Sequence, residues 1–260
     1  MRKASNLTVV TVVLNDAQGL RATAKSLEVQ SKAPVEWLVV DGGSCDGTFE
    51  LAKELCVRMR YCSLTSAPDT GIYDAMNKGL NRARGDFVLF LNAGDELAHS
   101  SVLEEFELAR VHHPGTAIVY GDSFERTAGG TMLLKQSRPV GRQVEFMFTH
   151  HQAMFFSRSA CIGLRYRVEY CVAADYGFVA EVLAFNPAIV KLVNPVAIFE
   201  RGGFSQQEVW RGITQQFVLR RKIVGVGLPR NLMLATRQVL AIILRRLLPR
   251  MYDWLRFKSV

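Results

Sequence analysis

The reading of "GDFVLFLNAGDEL", residues 85–97, decides the fold. Five apolar residues, Phe87 to Leu91, suit a buried strand, and they run directly into Asn92, Ala93, Gly94 and Asp95. Glycine and asparagine favour turns, and Asp95 is placed to cap a helix starting near Ser100, so a structural turn is one reading. The other is that the strand delivers its polar end to a ligand.

Outward from this stretch, β-rich runs alternate with helix-length segments over the first 120 residues. Strands are predicted over 7–13, 36–40, 60–64, 87–91 and 117–120, with helices over 20–30, 48–55, 72–84 and 101–111 between them. Such alternation predicts an α/β fold, a mostly parallel sheet with helices on both faces. Open sheets of this kind bind ligands beyond the carboxyl ends of their strands. The polar residues after each strand are therefore the candidates: Asn15 and Asp16, "DGGSCDGT" at 41–48, "APDTGIYD" at 67–74 and "NAGD" at 92–95. Beyond residue 121 the rhythm changes. "ERTAGGTM" reads as a hairpin turn, "HHQAMFFSR" as a short apolar run behind two histidines, and "YCVAADYGFVAEVLAF" has helical spacing.

A chain of 260 residues with 49% apolar content can bury a full core. The net charge of +8 is uneven: residues 201–260 hold twelve Lys/Arg against Glu208 and Asp253, net +10, so the first 200 residues net −2. A basic tail on a near-neutral body points to a local anionic partner, and no nucleic-acid face of interleaved basic and aromatic residues is expected on the body. The five cysteines, Cys45, Cys56, Cys62, Cys161 and Cys171, form no CxxC pair and read as reduced cytosolic thiols. The short β-branched run near the N-terminus reads as the first core strand and not as a signal segment.

In "DGGSCDGT" the glycines allow close backbone approach and Asp46 can cap the next helix, which leaves Asp41 at the strand end unexplained. Neither a phosphate loop nor a dinucleotide fingerprint is present. Asp74, Asn77 and Lys78 share a helix face, solvated or functional. Asp175, in an apolar helical stretch, is either bonded to a neighbouring amide or a working carboxylate, since carboxylates are rarely buried without a partner.

In order and spacing, "VDGGSCDGT", "APDTGIYDAMNKG", "LNAGD" and "HQAMFF" resemble the inverting nucleotide-sugar glycosyltransferases of family two, which have the GT-A fold. Within that family the likeness is to the bacterial exopolysaccharide, WcaE-like branch, and it covers roughly residues 7–205. The resemblance implies that Thr11, Asn15, Asp41 and Asp69 face the nucleotide, Asp41 accepting hydrogen bonds from the base. Asn92 and Asp95 take the place of the family's DXD-type motif, with Asp95 holding Mg²⁺ or Mn²⁺ on the donor diphosphate; Asn92 and Gly94 stand where the commoner version is acidic. Asp175 lies where relatives place the general base, His151 and Gln152 near donor and acceptor, and Gly202 and Gly203 in a loop that closes over the donor.

The domain division expected is 1–205 for the transferase and 206–260 for a basic helical extension. "NLMLATRQVLAIILRRLLPRMYDWLRF" is amphipathic, with Trp254 and Tyr252 and a break at Pro249, and has no apolar run near the ~20 residues that span a bilayer. It reads as lying on an anionic membrane surface over 230–258, or as a helix packed on the body or a partner. The family context implies a saccharide or lipid-linked saccharide acceptor at the inner face of the cytoplasmic membrane.

Overall fold

A computed structural model describes residues 5–127, 129–138, 146–185, 187–201 and 207–257. A seven-stranded sheet forms the centre, in the order β10 (Ile189–Lys191), β6 (Ile118–Tyr120), β9 (Met154–Ser157), β4 (Phe87–Phe90), β1 (Ser5–Val13), β2 (Pro34–Asp41), β3 (Cys62–Ser66). Strands β3, β2, β1 and β4 run parallel, joined through α1 (Ala17–Glu28), α2 (Thr48–Arg58) and α3 (Ile72–Arg82). Strand β9 enters antiparallel between β4 and β6, so the sheet is mixed.

The central strands are largely apolar because both faces are covered. On β1, β2 and β4 the odd-numbered residues Val9, Trp37, Val39 and Leu89 pack with α1, α2 and α4 (Val102–His112). The even-numbered Val10, Leu38, Val40, Val88 and Phe90 pack against α3 and α5 (Ala174–Leu183). The period of two thus divides one apolar run between two half-cores. Gly79 on α3 brings that helix close to β1, since a Cβ there would stand 2.4 Å from Val10 Cγ1.

A second, four-stranded sheet lies beside the first in the order β5 (Glu96–Leu97), β11 (Ala197–Glu200), β7 (Ser123–Arg126), β8 (Met132–Lys135). The expected hairpin is present as the antiparallel pair β7–β8. The C-terminal segment forms α6 (Val209–Lys222), α7 (Leu228–Leu247) and α8 (Pro249–Arg256), with Pro249 opening α8. These helices dock on the body. Buried Arg220 on α6 donates to Asn231 Oδ1 on α7 at 2.7 Å, and Arg201 pairs with Asp253 on α8 at 2.9 Å. No described helix is long and apolar enough to cross a membrane.

One sequence expectation is corrected: Cys56 and Cys62 are disulfide-bonded, while Cys45, Cys161 and Cys171 are free thiols. The reason lies in the tight reversal from α2 into β3, which brings the two Cα atoms to 4.7 Å, a proximity that six residues of sequence separation do not announce.

Candidate active site

The carboxyl ends of the parallel strands form a polar edge. Asn92 follows β4, and the Ala93 amide continues the ladder onto the Val12 carbonyl at 3.2 Å, which holds the 92–95 turn against the end of β1. Gly94 takes φ +90°, the left-handed region where a side chain would be strained. Asp95 does not cap α4, whose N-cap residue is Ser101; its buried carboxylate faces a cleft of about 710 Å³. Asn92, Asp95, His151, Gln152 and Asp175 all line that cleft, together with Asp16, Tyr73, Arg126 and Glu200.

Asp95 is pushed up to about 8, first by burial and further by the neighbouring charges of Glu200 and Glu96, against hydrogen bonds from Gln152 and the Asn92 backbone. Arg126 answers the other two acids, at 2.6 Å from Glu96 and 3.5 Å from Glu200. Asn92 Oδ1 is buried with no hydrogen-bond partner among the described residues. A buried carboxylate crowded by acids, beside an unpartnered amide oxygen, is a hard-oxygen donor set that a divalent cation would satisfy. Among the described residues no group of three or more His, Cys, Asp or Glu could hold a metal, so further ligands would have to come from a bound diphosphate and water.

Asp175, which lines the same cleft, lies in the first turn of α5. Its enclosure pushes it up to about 6, against hydrogen bonds from the Tyr176 amide, at 2.7 Å, and from the Tyr73 hydroxyl. The Tyr73 hydroxyl also lies 3.1 Å from the Val172 carbonyl, so its single proton is shared between that oxygen and Asp175, and α3 is tied to the start of α5. Such a carboxylate is ionised at neutral pH yet basic enough to take a proton. His151 is buried among Phe90, Phe156 and Tyr166, its Nε2 2.8 Å from the Tyr166 hydroxyl. Burial drives it down to about 3, so it is a neutral imidazole, and its Nδ1 has no partner among the described residues.

The other candidates lie elsewhere on the edge. Asn15, at φ +50°, accepts the Cys45 amide at 2.8 Å. Asp69 accepts the Gly71 amide at 2.9 Å, and its Oδ2 would stand 2.5 Å from a Cβ at Gly42. Asp41 is fully buried, its carboxylate taken by the hydroxyls of Ser44, at 2.5 Å, and Ser66, at 2.6 Å. It therefore braces the loop where a base-facing carboxylate is expected. Thr11 is placed below the cleft and not on its wall: its hydroxyl donates to the Leu91 carbonyl at 2.7 Å and accepts from Trp37 at 2.9 Å, sealing the sheet interior. Asp46 accepts the Thr48 amide, but the cap position of α2 belongs to Gly47. Asn77 bonds the Tyr166 backbone and Lys78 pairs with Asp74 at 3.2 Å, so that helix face is structural. Gly202 and Gly203 lie outside the described residues.

Tyr73, Arg126 and Glu200 line the cleft but are not singled out by sequence, Glu200 having no motif to mark it. Tyr73 and Arg126 have as their only sequence signal the position just after a strand-end turn and the end of a hairpin strand. Asp16 was a candidate by position; it caps α1 through the Gly19 amide at 2.8 Å and sits against the 92–95 turn.

A mixed parallel sheet with a strand-end carboxylate and a second carboxylate in one cleft agrees with comparison to known proteins. Residues 8–170 match the family described as glycosyl transferase family 2, and the chain belongs to that family. It is 31% identical over 215 residues to the PGL/p-HBAD biosynthesis glycosyltransferase of Mycobacterium bovis, covering 78% of this chain and 80% of that one. An uncharacterized glycosyltransferase of Mycobacterium tuberculosis is 31% identical over 206 residues, 74% of this chain and 75% of its own length. Among solved structures, a mannosyltransferase from Pyrobaculum calidifontis in complex with GDP-Man and Mn²⁺ superposes with TM-score 0.66 at 16% identity, covering 92% of this chain and 71% of that one. S. aureus TarS superposes at TM-score 0.65 and 14% identity; the match covers 90% of this chain and 42% of the TarS chain. These distant likenesses establish the GT-A type of fold.

Proposed function

We propose that this glycosyltransferase moves a sugar, with inversion, from a UDP- or GDP-sugar to a hydroxyl of a growing, lipid-linked cell-surface saccharide. The observation that carries the reading is that Asn92, Asp95 and Asp175 line the same cleft at the carboxyl ends of the parallel strands. An inverting transfer is a single displacement, and one base suffices. The donor diphosphate lies at the 92–95 turn and the sugar within the cleft. Asp175 takes the proton of the acceptor hydroxyl as its oxygen bonds the anomeric carbon, and the bond from that carbon to the diphosphate oxygen breaks on the opposite face. Gln152 holds the Asp95 carboxylate in place, and neutral His151 shapes the floor without exchanging a proton at neutral pH.

Asp95 and Asn92 Oδ1 would hold Mg²⁺ or Mn²⁺, which supplies electrostatic stabilisation of the departing nucleoside diphosphate. The Mn²⁺ in the Pyrobaculum mannosyltransferase complex supports that choice. The sequence likeness to the exopolysaccharide branch supports a polysaccharide or glycolipid product, and the Mycobacterium bovis relative is named for PGL biosynthesis. Residues 1–205 form the transferase and 206–260 an extension bearing outward apolar side chains, Leu232, Leu240, Ile243, Leu247 and Leu255. Interspersed with arginines, that stripe suits the anionic inner face of the cytoplasmic membrane.

The test is hydrolysis and transfer measured over a panel of UDP- and GDP-sugars with Mn²⁺. Donor turnover that vanishes with EDTA and with Asp95→Asn is the expected result. Retained turnover without any divalent ion removes the role given to Asp95, and wild-type protein binding no nucleotide sugar at all sinks the transferase reading.

A further inference from the structure

Behind Asp175 lies a second cavity, about 530 Å³, walled by the end of β8, by Phe146 and Met147, and by α6, α7 and α8. Of the residues that line the 710 Å³ cleft it shares only Val172 and Asp175. Its described lining carries five cations, Lys135, Arg138, Arg237, Arg245 and Arg256, and one carboxylate, Asp175. The arginines come from segments about a hundred residues apart and are set on aromatic rings. Arg138 and Arg237 lie 4.6 Å and 5.8 Å from the centre of the same Phe146 ring, and Arg245 lies 6.0 Å from that of Tyr252. Arg256 donates to the Gln136 carbonyl at 3.4 Å. Lys135 is paired with Glu125 at 2.9 Å and is pushed down to about 8, first by burial and then by the charges of Arg256 and Arg138.

Guanidinium forks from several segments facing one concave site present donors that suit an anion of high charge density with several acceptor oxygens. We infer that this cavity is the anion-recognising half of the acceptor site, taking the phosphate or diphosphate group on which the acceptor saccharide is carried. The inference rests on the transfer reading above, in which Asp175 meets the acceptor from the side opposite the donor. The donor diphosphate is not the occupant, because Asn92 and Asp95 line only the other cleft. Nor does a flat headgroup surface fit. On α7, Arg237, Ala241 and Arg245 turn inward to the cavity, whereas Leu232, Leu240, Ile243 and Leu247 fall on the opposite side of the helix at 100° per residue.

The test uses full-length protein and geranyl diphosphate as a short, soluble probe, with geraniol and inorganic pyrophosphate beside it, titrated at 150 mM salt. Arg237 is exposed and Arg245 half-buried, so Arg237→Gln/Arg245→Gln leaves the fold standing, checked by an unchanged melting shift with nucleotide and Mn²⁺. Geranyl diphosphate and pyrophosphate should bind and geraniol should not, with the double variant weakening both at least tenfold. In acceptor assays it should raise KM with little change in kcat. Equal binding of geraniol, or a double variant that binds the diphosphate as the wild type does, overturns the inference. So does displacement of the probe by phosphatidylglycerol vesicles that also release the variant, which would assign the cations to a bilayer. A wild-type protein that binds geranyl diphosphate yet neither binds nor transfers any nucleotide sugar leaves the anion site intact and removes the transfer reading instead.

Discussion

Asp95 and Asp175 are both carboxylates raised by burial, and the different degree of the rise sets different behaviour. Asp175, at about 6, is ionised at neutral pH, so transfer should climb as pH rises through 6 and level off above it, falling about tenfold per unit below. A kcat/KM profile measures this, and Asp175→Asn should remove the limb while lowering kcat by roughly 10²–10⁴-fold and sparing nucleotide affinity. If nucleotide binding disappears with transfer, Asp175 is structural. Asp95, at about 8, keeps a proton in the folded protein that the unfolded chain sheds near its ordinary value of 3.8. Its contribution to stability is therefore full below that lower value and is lost as pH rises through about 8. Without divalent ions, Asp95→Asn should melt higher than wild type at pH 8, at about 2–4 °C for each kcal/mol recovered. Binding Mn²⁺ at pH 7 should in turn release close to one proton, read from titration heats in buffers of different ionisation enthalpy. A proton count near zero contradicts Asp95 as the ligand.

At the scale of elements, glycines separate contacts that hold the fold from contacts that shape the site. A Cβ on Gly79 meets Val10 in the sheet core, so Gly79→Ala should cost about 1–3 kcal/mol in urea unfolding and leave nucleotide affinity as it was. A Cβ on Gly19 would stand 2.1 Å from Asp16 Oδ2 and 2.8 Å from the Gly94 amide, so Gly19→Ala should weaken nucleotide and Mn²⁺ binding as well as stability. Equal effects on binding from the two changes would mean that α1 plays no special part. Parallel strands β1, β2 and β4 were legible because each is a largely apolar run that ends on a polar turn, and the motif residues mark those ends, whereas β3, "CSLTS", is found two residues beyond the expected 60–64. Strand β9 was not legible, because "MFFS" pairs with Phe87–Leu89 and Ile118–Tyr120, partners set by tertiary contact and not by local period. For the same reason Thr11 and Asp41 could be placed near the edge by sequence but not given their bonds: burial turns one toward Trp37 and the other toward Ser44 and Ser66.

Across the whole molecule, α7 turns two chemically different faces in opposite directions, arginines toward the cavity and leucines toward solvent, which the sequence pattern of alternating arginines and leucines did not resolve. The inward face is anchored: Asn231 and Leu234 are buried, and Phe257 packs under Arg201 at 4.6 Å. Deleting residues 229–260 would therefore expose core along with removing any membrane contact, and a lost activity after truncation would be ambiguous. The outward face can be altered alone. Leu240 and Leu247 are 58% and 73% exposed, so changing both to Ser should shift the melting temperature little, since surface changes cost within ~0.5 kcal/mol. The same pair should weaken partitioning onto phosphatidylglycerol vesicles by about 10²-fold or more, because each buried leucine contributes about 1.5–3 kcal/mol to it. Binding of the wild type should also weaken as salt rises from 0.1 to 0.5 M, as arginine attraction to anionic lipid is screened. Vesicle binding that resists both the double substitution and salt would move the membrane contact away from α7, whereas transfer to a water-soluble acceptor should stay unchanged in the double variant, since neither leucine lines the cleft or the cavity behind Asp175.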